Sequence, residues 1–248
     1  MNSSILLQTD NEKEIKLDTI CKIKCIKHLF TIEFNYLYIV TDKIRKYKLS
    51  NNTLLLELDI KNKVDFISVI NNEIYCSGDG RLTKNMSENI LLEDTVLGLS
   101  KVKDMLGIQY SSRLVLYDKN LIKKEEYKCS TYFYDEGLFI LAYKNLLQIK
   151  CNSVLEVYLE EDITCVTADV LFTKVLCGTI SGKIYQINMD GSLNKVLDYH
   201  QSSVKSIKLS VCNKYIYSVD INGELLVWDS VVIDRAMIGD IKNIEIYL

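Results

Sequence analysis

Apolar and polar positions alternate along most of this chain in short runs, broken by small polar turns. The clearest stretch is HQSSVKSIKLSVCNKYIYSVDINGELLVWDS, His200 to Ser230. Within it VKSIKLS sets Val204, Ser206 and Lys208 against Lys205, Ile207 and Leu209, the period-two pattern of a β-strand. KYIYSVD is a short apolar strand, and Asn222-Gly223 supplies a tight turn, since both residues tolerate positive φ. ELLVWDS is a third strand and VVIDRAMI a fourth. No segment of useful length carries the helical period, so the pattern predicts an all-β protein.

The layout recurs upstream. Residues 162–199 repeat it, with KVLCGTI answering to KYIYSVD and Gly182 at the turn. Further copies turn at Lys144-Asn145, Ser111-Ser112, Asp79-Gly80 and Asp42. Residues 4–18 match as strand, turn and strand with Asn11-Glu12 in the turn. The turns fall about 35 residues apart, a little below the usual spacing of propeller blades. Strand, strand, turn, strand, strand is one blade, so the expectation is a β-propeller of seven blades, or six, filling residues 1–248 as a single domain. The N-terminal runs ILLQT, KEIKLD and TICKIKC supply three strands of the last blade, and IKNIEIYL (241–248) the missing innermost one. Pairing of Ile241–Leu248 with Ile5–Thr9 would close the ring with a blade shared between the N- and C-termini, removing exposed edges. An open β-sandwich of short strands is the competing architecture, because regular hairpins fit it too.

The residues around Trp228 resemble the WD-repeat β-propeller family. There a His opens the blade, a Ser sits in the second strand, an Asp in the turn and a Trp in the third strand, forming one hydrogen-bonded cluster. His200, Ser218 and Trp228 match three of these places, and the turn place, six residues before the Trp, holds Asn222. An amide is a weaker acceptor than a carboxylate for an imidazole N–H. The other copies lack the Trp, and Tyr47, Tyr117 and Tyr185 lie in three of their third strands. The run LCGTISGKIYQINM, the blade after it, and SVVIDRAMIGDIKNIEI with Asp234-Arg235 and Gly239 resemble a subgroup: the WD-repeat subunit of the complex that processes the internal transcribed spacer on large-subunit pre-ribosomes. That subgroup's long C-terminal extension is missing here. The resemblance implies a non-catalytic scaffold bound to other protein subunits, in ribosome biogenesis and rRNA processing, inside the cell in the nucleus or the cytoplasm.

Composition narrows the chemistry. A chain of 248 residues, 48% hydrophobic and 25% charged, can bury a large core. Its net charge of −3 gives no global basic field for nucleic acid. The eight cysteines form no Cys-x-x-Cys pair, so they read as free, mostly buried thiols in a reducing compartment. No basic leader with an apolar core and no long apolar run is present, which predicts an intracellular protein without a membrane span. Proline is absent, so the loops rely on Asn, Asp, Ser and Gly.

The two histidines, His28 and His200, are far apart and make no metal spacing. No nucleophile elbow or phosphate loop appears. The adjacent acids Glu125-Glu126 and Glu160-Glu161-Asp162 would point to opposite faces of a strand. No catalytic residue, cofactor, metal or small-molecule substrate is therefore expected. In CKIKC, Lys22 and Lys24 alternate with Cys21, Ile23 and Cys25 on what reads as an outer strand, and KIRKYKLS adds Arg45, Lys46 and Lys48. Such a row either guards an edge or contacts RNA or an acidic partner. The leading expectation is a protein-binding platform. The alternatives are an RNA-associated adaptor, such as the non-catalytic subunit of an RNA-modifying enzyme, or a propeller in a trafficking or chromatin complex. An enzyme with its site in a central channel would need His and acid clusters that the sequence does not display.

Overall fold

The computed structural model describes residues 4–9, 13–16, 22–26, 29–33, 36–48, 53–60, 63–135, 137–169, 171–210, 214–229, 231–237 and 241–247. In 4–9, 13–16, 22–26 and 241–247, and at 29, 31, 33, 88 and 89, the description is of backbone. The regular elements are all β-strands among these residues. None forms a helix long and apolar enough to cross a membrane. The chain divides into two compact units, residues 28–128 and residues 1–27 with 129–248.

In the unit of residues 28–128, antiparallel four-stranded sheets span 29–59, 66–91 and 98–128. Their first strands, Leu29–Glu33, Phe66–Ile70 and Gly98–Val102, neighbour one another in succession. In the other unit, antiparallel four-stranded sheets span 131–158, 163–198 and 204–237. Their first strands, Thr131–Asp135, Ile163–Ala168 and Val204–Leu209, follow the same succession, and Val204–Leu209 also neighbours Ile241–Tyr247.

Burial explains the sequence pattern. A middle strand lying between two sheets of the same unit is covered on both faces, so it reads as a continuous apolar run. Ile216–Asp220 is buried throughout, as are Leu225–Trp228 in the strand beside it. The fourth strands Val154–Tyr158 and Val231–Met237 alternate between exposed and half-buried positions, whereas Thr53–Asp59 and Leu193–Asp198 are exposed at all but one position. The core forms packets between successive sheets. One, between 163–198 and 204–237, holds Leu176, Ile184, Val204, Leu226 and Trp228. Another, between 66–91 and 98–128, holds Tyr75, Leu82, Ile108 and Val115. Several expected turn residues adopt positive φ, among them Gly223 (81°), Gly182 (98°), Lys144 (53°) and Asp79 (50°).

The chain ends build one further sheet, in the order Lys13–Lys16, Lys22–Ile26, Ser4–Thr9, Ile241–Tyr247. The terminal strands pair antiparallel, Ile5 opposite Ile246 and Thr9 opposite Ile241. This sheet corrects the expected hairpin of residues 4–18. Ser4–Thr9 runs parallel to Lys22–Ile26, and Lys13–Lys16 pairs on the far side of that strand. A parallel pairing needs a crossover of about a dozen residues, and the strand Lys13–Lys16 lies within that connection. Asn11 and Glu12 lie outside the described residues. Lys22–Ile26 is flanked on both sides, so Lys22 and Lys24 are on an inner strand of the sheet rather than an outer one.

Candidate functional site around His200

The polar cluster of the 204–237 sheet starts from strand pairing. Ile216–Asp220 and Glu224–Asp229 pair antiparallel, with Ser218 opposite Leu226 and Ile216 opposite Trp228. Asp220 ends the first of these strands and folds its carboxylate over the turn. Its Oδ1 accepts the backbone N–H of Asn222 at 3.0 Å and of Glu224 at 2.9 Å, an Asx-type turn. Its Oδ2 accepts the Ser202 hydroxyl at 2.6 Å. Trp228 Nε1–H donates to Ser218 Oγ at 2.7 Å, and His200 Nε2 lies 2.7 Å from the same oxygen. The Trp228 ring is buried and meets Tyr199 edge-on at 5.4 Å between centroids.

His200 Nδ1 has a different environment. It is buried and has no hydrogen-bond partner. The Asp220 Oδ2 and Glu224 Oε2 atoms stand 3.7 Å and 3.6 Å from it. Burial holds the imidazole below its ordinary pKa, against the pull of the Asp220 and Glu224 carboxylates. The preceding sheet presses on this corner. A Cβ at Gly182 would lie 2.5 Å from the His200 carbonyl oxygen and 2.8 Å from that of Ser202. Thr164 Oγ1 also donates to the Val204 carbonyl at 2.5 Å.

The structure thus brings His200, Ser218 and Trp228 together through their side chains, while Asn222 takes part through its backbone N–H. The acid beside the imidazole is Asp220, which ends the strand instead of occupying the turn, and Glu224 joins it. Motif register alone pointed to Asn222. The readable sign was Asp-x-Asn-Gly at a strand end, the signature of a side chain that caps its own turn.

The basic candidates separate. Arg45 Nε donates to Glu57 at 2.8 Å, and its Nη1 to Asp42 at 3.1 Å and Thr41 Oγ1 at 2.5 Å. Glu57 sits opposite Arg45 in the ladder, so this pairing follows from register. Lys46 Nζ lies over the Tyr36 and Tyr38 rings at 4.1 and 5.2 Å, and Lys48 ends the strand exposed. The side chains of Lys22 and Lys24 lie outside the description. The adjacent acids do not converge: Glu126 pairs with Arg113 and Lys123, while Glu161 takes Lys183 at 2.6 Å and the Ser181 hydroxyl. Cys76, Cys165 and Cys177 are free and buried. Burial pushes the Cys76 and Cys165 thiols up to about 12, and Cys177 upward too.

No protein family matches the chain, and no curated protein matches it. Solved structures do. Kluyveromyces lactis Hsv2 is 12% identical, with 79% of this chain and 71% of that chain covered and a TM-score of 0.65. The form of that protein with loop 6CD replaced by a Gly-Ser linker is 13% identical, with 86% and 82% covered and a TM-score of 0.68. Kluyveromyces marxianus Hsv2 is 14% identical, with 82% and 77% covered and a TM-score of 0.64. At such identity the likeness shows the fold alone, that of a β-propeller. It does not bear on the resemblance to the spacer-processing subunit.

Proposed function

We propose that this chain is a non-catalytic platform, a closed seven-bladed propeller that holds other proteins in a complex. The succession of first strands within each unit and the pairing of the terminal strands support closure. One observation carries the binding role. Leu54, Leu55 and Leu56, on the fourth strand of the 29–59 sheet, are 48%, 50% and 39% exposed. Leu54 stands opposite Tyr47 and Leu56 opposite Lys46, with Leu55 the extra residue of a bulge. Tyr47 and Lys46 point to opposite faces, so apolar surface is open on both sides of this edge. A bare apolar edge invites association, and a protein partner would cover it.

The test compares the tagged chain with its Leu54→Ser/Leu56→Ser double variant by affinity purification from the source cells and mass spectrometry. Both side chains are exposed, so the melting temperature should hold while a stoichiometric partner is lost. Equal recovery of every partner by a folded variant would remove this edge, and the reading built on it.

A further inference from the structure

We propose that His200 Nδ1, Asp220 Oδ2 and Glu224 Oε2 form a binding site for a first-row divalent transition-metal ion, with Zn2+ as the probe. The proposal is independent of the platform reading. These ligand atoms lie within 4.8 Å of one another. The His200 side chain is 0% exposed and its Nδ1 has no hydrogen-bond partner, so a buried polar atom is aimed at the carboxylates without a bond to either. Its distances to them, 3.7 and 3.6 Å, exceed the roughly 2.7–3.2 Å of an N–H···O bond. They lie close to the ~3.3–3.6 Å that separates two ligands on a tetrahedral ion with bonds of about 2.0–2.2 Å.

Charge leads to the same place. Asp220 is 2% exposed and Glu224 21%. Two carboxylates facing one imidazole gather negative charge at this corner, offset in part by the three hydrogen bonds that Asp220 accepts. A divalent ion would cancel it. One imidazole with two carboxylates suits Zn2+ or Fe2+, whereas an all-oxygen cage would suit Mg2+, Ca2+ or Mn2+.

The supports are already in place. An ion on Nδ1 requires the ring proton on Nε2, and Ser218 Oγ, which also accepts the Trp228 N–H, stands 2.7 Å from that nitrogen as the acceptor of this second donor. Metal-bound imidazoles characteristically hold their other N–H in such a bond. Asp220 is fixed by Asn222 N–H, Glu224 N–H and the Ser202 hydroxyl. Glu224, 21% exposed, is the ligand nearest to solvent.

The full chain, stripped with chelator, would be titrated with ZnCl2 by calorimetry and followed by thermal unfolding. Binding of one equivalent is expected, with Tm rising by about 5–10 °C at a hundredfold excess over Kd. Glu224→Gln, a change at the partly exposed ligand, should weaken Zn2+ at least tenfold. Co2+ provides a second measurement on the unaltered protein: its spectrum should lack thiolate charge-transfer absorption, because no cysteine belongs to the site. No uptake at millimolar Zn2+, equal affinity in the variant, or a thiolate band would overturn the proposal.

Discussion

Trp228 is the residue on which the 204–237 sheet closes. It is 1% exposed, packs with Leu226, Val204 and Leu176, and donates its indole N–H to Ser218. Trp228→Ala removes the ring and this bond together and should cost about 3–5 kcal/mol. Trp228→Phe keeps most of the apolar volume and loses chiefly the N–H, so its cost should be distinctly smaller. Urea midpoints of the two variants measure the difference, and an unchanged midpoint for Trp228→Ala would end the structural reading of this ring. His200, Ser218 and Trp228 could be read in sequence because the motif spaces them along the chain. Asp220 could not be found by that register, since it reaches the imidazole from a strand end and over its own turn. Glu224 begins the next strand, and only the turn brings it back to His200.

At the scale of elements, alternation located the first strand Val204–Leu209 and an apolar run the middle strand Ile216–Asp220, because the one is partly exposed and the other buried throughout. Neither pattern states which strand pairs with which, or in what direction. The parallel pairing of Ser4–Thr9 with Lys22–Ile26 was invisible for that reason. The contact between neighbouring sheets is equally silent in sequence, and Gly182 exposes it. Its φ of +98° is nearly that of Gly137, +96°, yet a Cβ at Gly137 would meet nothing within 4 Å. Alanine at either position bears the same backbone strain. Only at Gly182 must it also displace the backbone carbonyls of His200 and Ser202. Gly182→Ala should therefore be the less stable variant by more than ~1 kcal/mol. Equal losses in the two variants, measured by thermal unfolding, would mean that the sheets do not depend on this approach.

For the whole molecule, the spacing of turns left one blade short of an innermost strand, and that shortage is why pairing of the termini was legible before the fold was known. Ile241–Tyr247 pairs along the length of Ser4–Thr9 and also neighbours Val204–Leu209. Within its unit this strand links the terminal sheet to the 204–237 sheet, so its loss is felt in both. Removing residues 241–248 leaves Ser4–Thr9 with an unpaired edge, and an unpaired edge is a template for association. The truncated chain should melt well below the full one and collect in aggregates on expression. Supplying IKNIEIYL as a free peptide should recover part of the lost melting temperature, because the vacant edge can accept a strand in trans. The peptide separates a missing ladder partner from a general loss of core, which no eight-residue segment would repair. A truncated chain that stays soluble and melts with the full-length protein would show that the terminal strand closes nothing.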